Sequence, residues 1–329
     1  MRRYLNAHPD VHLTFEASFF ALRRTFPAAW TPARRQAFLE NSLGMAWQRI
    51  PRDTAHSFFS SDWDGVSVAP FEAQMRYCAE RAGARVWGDK SPVHTQHIGA
   101  ILAAWPNARV IHIVRDPVAV CASLFTVPWA NPNLFSNAMG VRYALDAVQP
   151  YRDRIHEVRL EDLLADPEPA LRGAVAFCGL DWAPAMMTAL SRAEDDAPPL
   201  PWLVTTSAER DRVRPRSKVP AVDLDRIARM TRPQRSRYGY PAVPRLSRTW
   251  GGHFLRAWID ILELTQAGRY LWGLKSLLRQ DPTPGPLVRF DAYNRFHAGA
   301  SLACLPEERA ALETWLSQPH GSATTDRLV

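Results

Sequence analysis

The order of apolar and polar residues predicts strands that alternate with helices. Arg109–Val114 is a run rich in β-branched residues, which is typical of a strand buried inside a parallel sheet. Pro117 suits the first position of the helix that follows, which we expect to extend through Phe125. Arg85–Trp87 and Ile155–Leu160 are two further predicted strands.

Helices are predicted before and between these strands. Residues 10–70 carry apolar residues at helical spacing and are predicted to form helices with irregular joins. The other predicted helices are Ala69–Ala82, His94–Ala104 and Pro167–Cys178. This alternation predicts an α/β fold with an open, mostly parallel sheet. Ligands of such sheets gather at the carboxyl ends of strands, which places Lys90 and Arg115 on the functional edge.

The composition is that of a globular protein. The 329 residues are 47% hydrophobic and 22% charged, which argues against disorder, collagen-like structure and coiled coils. The best apolar candidate, Ile98–Val114, is interrupted by Trp105–Asn107 and Arg109, so no membrane span is predicted. Met1–Arg3 is followed by polar residues instead of a signal-peptide core, and we expect a soluble, cytoplasmic protein.

The length allows two domains, and the sequence pattern changes after Pro244. Residues 1–244 form the predicted α/β domain, and residues 245–329 form a helical C-terminal extension. Its apolar helices, Trp250–Leu264 and Tyr270–Leu278, have three possible roles. They pack on the main domain, contact a membrane surface, or form a homodimer interface.

No metal site is indicated. The four cysteines lie far apart without a C-x-x-C pair, so we expect buried, reduced thiols. His94 and His97 lie one helical turn apart, but no third residue at a metal-ligand spacing accompanies them.

The positive charge is concentrated in one segment. The net charge is +7, and Thr205–Tyr240 contains ten Arg or Lys residues against four Asp or Glu residues. Such a cluster indicates nucleic acid, lipid headgroups or a phosphorylated small molecule, unless it is only a solvated helix face. Nucleic acid is not expected, because the aromatic residues Tyr238 and Tyr240 stand only at the end of the segment.

Arg115 and Ser123 form a candidate phosphate site. The arginine ends a strand and the serine lies about two turns into the next helix, so both can hold one phosphate near the helix N-terminus. A local ion pair between Arg115 and Asp116 is the alternative.

These motifs together resemble a known family. Gly88–Pro92, followed by a helix, Trp105–Pro117 and Ser123, resembles the sulfotransferases that use 3′-phosphoadenosine 5′-phosphosulfate (PAPS). The nearest branch is that of tyrosylprotein and carbohydrate sulfotransferases. Weaker matches are Asn6–Val11 with Glu16–Phe20, Val158–Leu164 with Asp166–Glu168, and Tyr238–Pro241. The resemblance covers about residues 1–244 and implies a P-loop-NTPase-like fold with helices on both faces of the sheet.

The resemblance implies a role for each motif residue. Arg115 and Ser123 would bind the 3′-phosphate of PAPS, the co-substrate. Lys90 would stabilise charge on the transferring sulfonate and on the leaving phosphate. Glu16 would be the general base, although His94 is a rival and Glu16 also suits a helix first turn.

The nucleotide-covering loop is matched less well. Arg214, Arg216 and Lys218 stand where the family closes a loop over the nucleotide, but Val219 replaces its usual tryptophan. Leu160 likewise replaces the tyrosine that often precedes Glu161, which puts one nucleotide contact in doubt.

The family's first strand and its G-x-x-R-S-G-T-T loop, which wraps the 5′-phosphosulfate, are not found before His8. We therefore expect a chain without that strand, impaired as an enzyme, either because its start was assigned too late or because it is a degenerate relative.

The expected activity is sulfonate transfer to an acceptor hydroxyl on a small molecule, sugar or lipid, or less favourably on a peptide tyrosine. The alternatives are a degenerate nucleotide- or nucleic-acid-binding protein and a P-loop nucleotide kinase relative. The kinase is disfavoured because no glycine loop with a Walker lysine occurs.

Overall fold

The computed structural model describes residues 1–24, 26, 28–40, 42–124, 134–191 and 219–242. Three expected nucleotide contacts, Arg214, Arg216 and Lys218, lie outside these residues. The C-terminal extension 245–329, with its expected membrane or dimer contact, also lies outside them.

Four strands belong to the described chain: β1 (Val11–Phe15), β2 (Val86–Lys90), β3 (Val110–Val114) and β4 (Ile155–Arg159). The helices before β3 are α1 (Arg2–Asn6), α2 (Phe19–Arg24), α3 (Pro32–Glu40), α4 (Leu43–Trp47), α5 (Arg52–Ser57), α6 (Ala69–Arg81) and α7 (Ile98–Ala104). Those after it are α8 (Pro117–Leu124), α9 (Leu134–Ala147), α10 (Leu160–Ala165), α11 (Pro167–Phe177), α12 (Ala221–Met230) and α13 (Arg232–Arg237). Short 3-10 helices cover Pro92–Gln96, Gln149–Arg154 and Pro184–Ser191.

The strands form two parallel pairs. β1 pairs with β2, and β3 pairs with β4. One open sheet was expected, but the described strands form two separate two-stranded sheets. Apolar side chains from both pairs enter a single core with α10 and α11: Val11, Leu13, Val86, Ile111, Ile113, Val158, Leu163 and Leu171. The two described strand pairs are therefore joined by packing in this shared core and not by hydrogen bonds between strands.

The prediction was best for the second half of the described chain. The predicted strands Arg109–Val114 and Ile155–Leu160 are confirmed, each one residue shorter than expected. The helix expected to begin at Pro117 does so. These elements are long apolar runs bounded by turn residues, so local pattern and tertiary structure agree.

The first half departs from the prediction in three places. Residues 10–70 were predicted without a strand, but Val11–Phe15 is β1. Strand β2 does not end at Trp87 and continues to Lys90, because it pairs with the whole length of β1. The helix expected at His94–Ala104 is wrong in its first turn, where hydrogen bonds spanning three residues form a 3-10 helix and α7 begins only at Ile98.

An aromatic core supports the elements around β1. Phe19 packs against Phe71 with ring centroids 5.2 Å apart, and Phe20 lies edge-on to Phe71 at 5.8 Å. Met75 of α6 is fully buried beneath them. The start of α2 is thereby fixed against α6, close to the ends of β1 and β2.

Candidate functional site

The carboxyl ends of β1 and β2 bring Glu16 and Lys90 into contact. Phe15, the last residue of β1, lies opposite Lys90, the last residue of β2. The backbone N–H of Glu16 then donates to the carbonyl of Lys90 at 2.9 Å. The Lys90 ammonium forms an ion pair with the Glu16 carboxylate. The Glu16 side chain is 16% exposed and that of Lys90 40% exposed, so both groups can be reached from solvent.

The backbone that carries Glu16 has an unusual conformation. Glu16 has φ 47° and Ser18 has φ 53°, both in the left-handed region that glycine favours. Such a conformation costs on the order of 1–3 kcal/mol per residue and persists only where surrounding contacts fix it. The turn of residues 16–18, called here the Glu16 turn, therefore needs specific support.

Asp89 provides the first part of that support. One carboxylate oxygen accepts from the Thr14 hydroxyl at 2.7 Å and from the backbone N–H of Ala17 at 3.0 Å. The other accepts from the Ser91 hydroxyl at 2.6 Å. The Asp89 side chain is only 3% exposed, so each of these bonds is shielded from water.

Three further groups enclose the same turn. The Ser91 hydroxyl accepts from the backbone N–H of Ser18 at 3.0 Å. The buried side chain of Gln48 donates to the carbonyl of Phe15 at 2.7 Å. Gly44 of α4 packs so closely that a Cβ there would lie 2.9 Å from the Cα of Ala17. The sequence motif contains Asp89 and Ser91, but sequence reasoning gave neither a role. A buried acid within a strand was the signal that could have found Asp89.

An aromatic wall borders the Glu16–Lys90 pair. The Lys90 ammonium lies 4.6 Å from the ring centroid of Phe15, and the Arg2 guanidinium lies 5.3 Å from the same centroid. Trp47 packs on Phe15 at 5.2 Å. Two cations thus approach one ring, and the face of the aromatic ring attracts positive charge.

His94, the rival candidate base, lies between Asp89 and two aromatic rings. Its Nδ1 lies 3.4 Å from a carboxylate oxygen of Asp89, and its ring packs edge-on against Phe20 and Phe71. Burial lowers the pKa of His94, and the negative charge of Asp89 opposes this effect. Its Nε2 is buried without a hydrogen-bond partner. The His94 side chain is 14% exposed and that of Glu16 is 16% exposed, so exposure does not separate the two candidate bases.

Arg115 lies at the end of β3, and its guanidinium is unpaired within the described part of the chain. Its half-buried side chain forms no hydrogen bond or ion pair with any residue of the described chain. The alternative of a local ion pair with Asp116 is wrong, because Asp116 pairs with the buried Arg235 and accepts from the backbone N–H of Val118. Ser123 lies half-buried in α8 and is not hydrogen-bonded to Arg115.

The chain from α13 to Ala242 closes the ends of β3 and β4. Tyr240 donates to Glu161 at 2.9 Å, and the other oxygen of Glu161 accepts from the backbone N–H of Asp116 at 3.0 Å. The Arg159 guanidinium lies 4.6 Å from the Tyr240 ring centroid. Tyr238 donates to Glu157 at 2.9 Å, and burial, followed by this carboxylate, raises the pKa of Tyr238 to about 12. Glu161 therefore connects Tyr240 to the turn after β3, which carries Arg115.

The described part of the basic segment is largely neutralised. Its ion pairs are Arg226–Asp223, Arg229–Asp225, Arg235–Asp116 and Arg237–Asp146. These contacts use the arginines to pack α12 and α13, which does not favour a nucleic-acid surface there.

Two of the three described cysteines fit the expectation of buried thiols, whereas Cys178 is only half-buried and Cys304 lies outside the described residues. Cys78 and Cys121 are free and buried, and burial raises the pKa of the Cys78 thiol to about 11 and that of Cys121 to about 12. Within the described ranges, no group of three or more metal-ligating side chains occurs. No helix in the same ranges has the length and apolarity to cross a membrane.

Comparisons with known proteins point to one family. The family model described as Sulfotransferase family matches residues 1–184. The omega-hydroxy-beta-dihydromenaquinone-9 sulfotransferases of Mycobacterium bovis and Mycobacterium tuberculosis are each 32% identical to the chain over 108 residues. The match covers 28% of this chain and only 28% of each relative's length.

The fold is also similar to that of a solved structure. The sulfotransferase domain from the Synechococcus PCC 7002 olefin synthase superposes with a TM-score of 0.50 at 20% sequence identity. The superposition covers 74% of this chain and 90% of that domain, in agreement with the predicted α/β class.

Proposed function

We propose that this chain, which belongs to the sulfotransferase family, transfers a sulfonate group from PAPS to an acceptor hydroxyl. The observation that carries the proposal is the contact between Glu16 and Lys90 at the carboxyl ends of two paired parallel strands. Substrates of α/β proteins gather at this edge, and here it presents a carboxylate and an ammonium group side by side.

Glu16 is the proposed general base. Its carboxylate takes the proton of the acceptor hydroxyl as the acceptor oxygen forms a bond to sulfur. The bond between sulfur and the 5′-phosphate oxygen breaks at the same time, and 3′-phosphoadenosine 5′-phosphate (PAP) leaves. Like phosphoryl transfer, this chemistry relies on positioning and charge stabilisation without a protein nucleophile.

Lys90 is the proposed electrostatic catalyst. Negative charge grows on the leaving phosphate during transfer, and a fixed ammonium group beside it lowers the barrier. The Lys90 backbone is fixed by β-pairing with β1, while its side chain remains exposed enough to move from Glu16 to a substrate.

Arg115 and Ser123 are the proposed contacts of the 3′-phosphate. The guanidinium of Arg115 has no partner among the residues that the structure describes, and it suits a phosphate because it provides several donors in a fixed planar arrangement. We propose Arg214, Arg216 and Lys218 as further contacts of the nucleotide, on the family resemblance alone.

The proposed acceptor is a hydroxyl on a lipid-like molecule. The name of the two mycobacterial relatives describes a hydroxylated menaquinone as their acceptor. Sugars, other small molecules and peptide tyrosines are the alternatives to test.

The proposal is tested by donor binding and by transfer. PAP should raise the melting temperature of the chain more than AMP, which lacks the 3′-phosphate. Sulfur-35-labelled PAPS should then label an acceptor from a panel of hydroxylated lipids, sugars and tyrosine peptides. Equal effects of PAP and AMP, together with no labelled product, would refute the proposal.

A further inference from the structure

The connection between α2 and α3 presents an uncharged, exposed tip. Residues 28–33, called here the Trp30 tip, have the sequence Ala-Ala-Trp-Thr-Pro-Ala. All are exposed except Trp30, which is half-buried.

Two pairs of arginines flank the Trp30 tip. Arg23 and Arg24 end α2, and Arg34 and Arg35 lie in the first turn of α3. None of the four forms an ion pair with a carboxylate in the described chain. Their recorded polar contacts include backbone carbonyls, such as that of Gly65, which leave the positive charge unneutralised.

The nearby carboxylates have other partners. Glu40 of α3 is bound by His56 at 2.9 Å and by Gln36 at 2.7 Å. Asp64 accepts from the backbone N–H groups of Val66 and Ser67 at 2.9 and 2.7 Å, and these bonds, with a smaller effect of the positive charge of Arg23, lower its pKa. The four arginines thus form a local excess of positive charge, in contrast to the ion-paired arginines of α12 and α13.

Two aromatic rings and an arginine side chain pack around Trp30. Its ring centroid lies 5.8 Å from that of Phe26 and 5.4 Å from that of Phe38, and the Arg34 guanidinium lies 4.7 Å from it. Tryptophan combines an apolar body with a polar N–H, and it is enriched where protein meets the lipid headgroups.

We propose that the Trp30 tip and its four arginines form a contact surface for an anionic lipid bilayer. The uncharged tip enters the headgroup layer, and Arg23, Arg24, Arg34 and Arg35 bind lipid phosphates around it. A nucleic acid is less favoured, since Arg34 already covers a face of Trp30 that a base would need for stacking.

This surface lies close to the site along the chain. Helix α2 starts three residues after Glu16, and its six residues span about 9 Å before the tip.

Vesicle flotation tests the proposal with the full chain. Wild type should float with phosphatidylcholine vesicles that contain phosphatidylglycerol, and should remain at the bottom with phosphatidylcholine alone. Each arginine contributes roughly five-fold to the partitioning, so Arg34→Gln/Arg35→Gln should bind about 25-fold more weakly. Trp30→Ser should also weaken binding. Arg172→Gln is the matched control, because Arg172 likewise lies over a tryptophan, Trp182, on another surface.

Circular dichroism establishes that the variants are folded, and the arginine double variant decides the outcome if Trp30→Ser is not. Absence of flotation of wild type, or equal flotation of wild type and the double variant, would overturn the proposal. A gel shift with RNA that depends on Arg34 and Arg35, without flotation, would assign the surface to nucleic acid instead. No sulfonate donor is present, so the outcome is independent of the proposed transfer reaction.

Discussion

Asp89 accepts a hydrogen bond from the backbone N–H of Ala17, the residue that follows Glu16. Asp89 precedes Lys90 in the sequence, and its carboxylate fixes the backbone next to Glu16. Glu16 is the residue whose carboxylate forms the ion pair with Lys90. The end of β2 thus carries both the Lys90 ammonium group and the Asp89 carboxylate, which supports the turn that holds Glu16. This coupling makes Asp89 a positioning residue, although it contacts no substrate in the proposed reaction.

Substitution of Asp89 tests this coupling. Asp89→Ala removes the acceptor for Thr14, Ala17 and Ser91, and we expect it to lower the free energy of unfolding by about 3 kcal/mol. Asp89→Asn keeps one carbonyl oxygen and should cost only about 1 kcal/mol. In urea titrations, Asp62→Asn, at an exposed position, should leave the midpoint unchanged.

The functional readout separates positioning from folding. At a temperature where Asp89→Asn is fully folded, we expect kcat for sulfonate transfer to fall while the affinity for PAP stays at the wild-type value. A wild-type kcat in that variant would show that Asp89 serves stability alone.

A matched pair of glycine substitutions tests the packing of α4 on the Glu16 turn. Gly44→Ala places a Cβ against Ala17, so the turn must shift, and we expect a loss of stability of about 1–3 kcal/mol. Gly140 of α9 has open space around it, so Gly140→Ala should stabilise the chain by about 0.5–1 kcal/mol. Thermal unfolding of both variants provides the comparison, and a stable Gly44→Ala would contradict the close packing described here.

The proposed roles of Glu16 and Lys90 predict large kinetic effects. Glu16→Gln removes the base and should lower kcat about 10²–10⁴-fold. Lys90→Met removes charge stabilisation and should lower it about 10²–10³-fold. Glu72→Gln, in an ion pair on α6, is the control and should retain activity. Transfer from labelled PAPS measures all three, and near-wild-type turnover by Glu16→Gln would reopen His94 as the base.

Removal of Arg235 should destabilise the ends of β3 and β4. Its side chain is 6% exposed and that of its partner Asp116 is 16% exposed, so Arg235→Met leaves a buried charge unpaired. We expect a loss of about 3–5 kcal/mol. Arg76→Met breaks an exposed pair with Glu72 and should cost no more than about 1 kcal/mol. Similar urea midpoints for the two variants would argue against a structural role for the Arg235 pair.

The stability of the chain should decrease in mild acid. Burial lowers the pKa of His94 below the ordinary histidine value of 6.5, so the unfolded chain binds the proton more tightly. The contribution of neutral His94 to the free energy of unfolding is complete above pH 6.5. It is lost as the pH falls toward the lowered pKa of His94. His94→Gln should reduce this pH dependence, while His56→Gln, at an exposed position, should not. Unfolding midpoints across the pH range measure the difference.

The sequence predicted β3 and β4 but not β1, and the reason is physical. Val110–Val114 is rich in β-branched residues, so its own composition specifies a buried strand. Val11, Leu13 and Phe15 alternate with the polar residues His12 and Thr14, a pattern that fits a strand, but residues 10–70 were predicted as helices. Pairing with β2, a non-local contact, decides the structure there.

Some features of the candidate site could likewise be predicted from the sequence, and others could not. Lys90 and Arg115 were placed at the functional edge because charged residues after strands share the carboxyl edge of a parallel sheet, whereas Glu16 was named from the family resemblance. The positive φ of Glu16 could not be found, since no glycine marks it and contacts from Asp89, Ser91 and α4 enforce it. The pairing of Asp116 with Arg235 could not be found either, because 119 residues separate them.

That separation also has a consequence for the order of synthesis. Strands β3 and β4 leave the ribosome long before Arg235 and Tyr240, whose contacts close over Asp116 and Glu161. Until then, the nascent chain exposes two unneutralised carboxylates beside Arg115. The loop to be closed is long, so this step depends on a slow, non-local encounter. A chaperone that binds the nascent domain would have its longest opportunity at this edge, after translation of Arg159 and before that of Pro241.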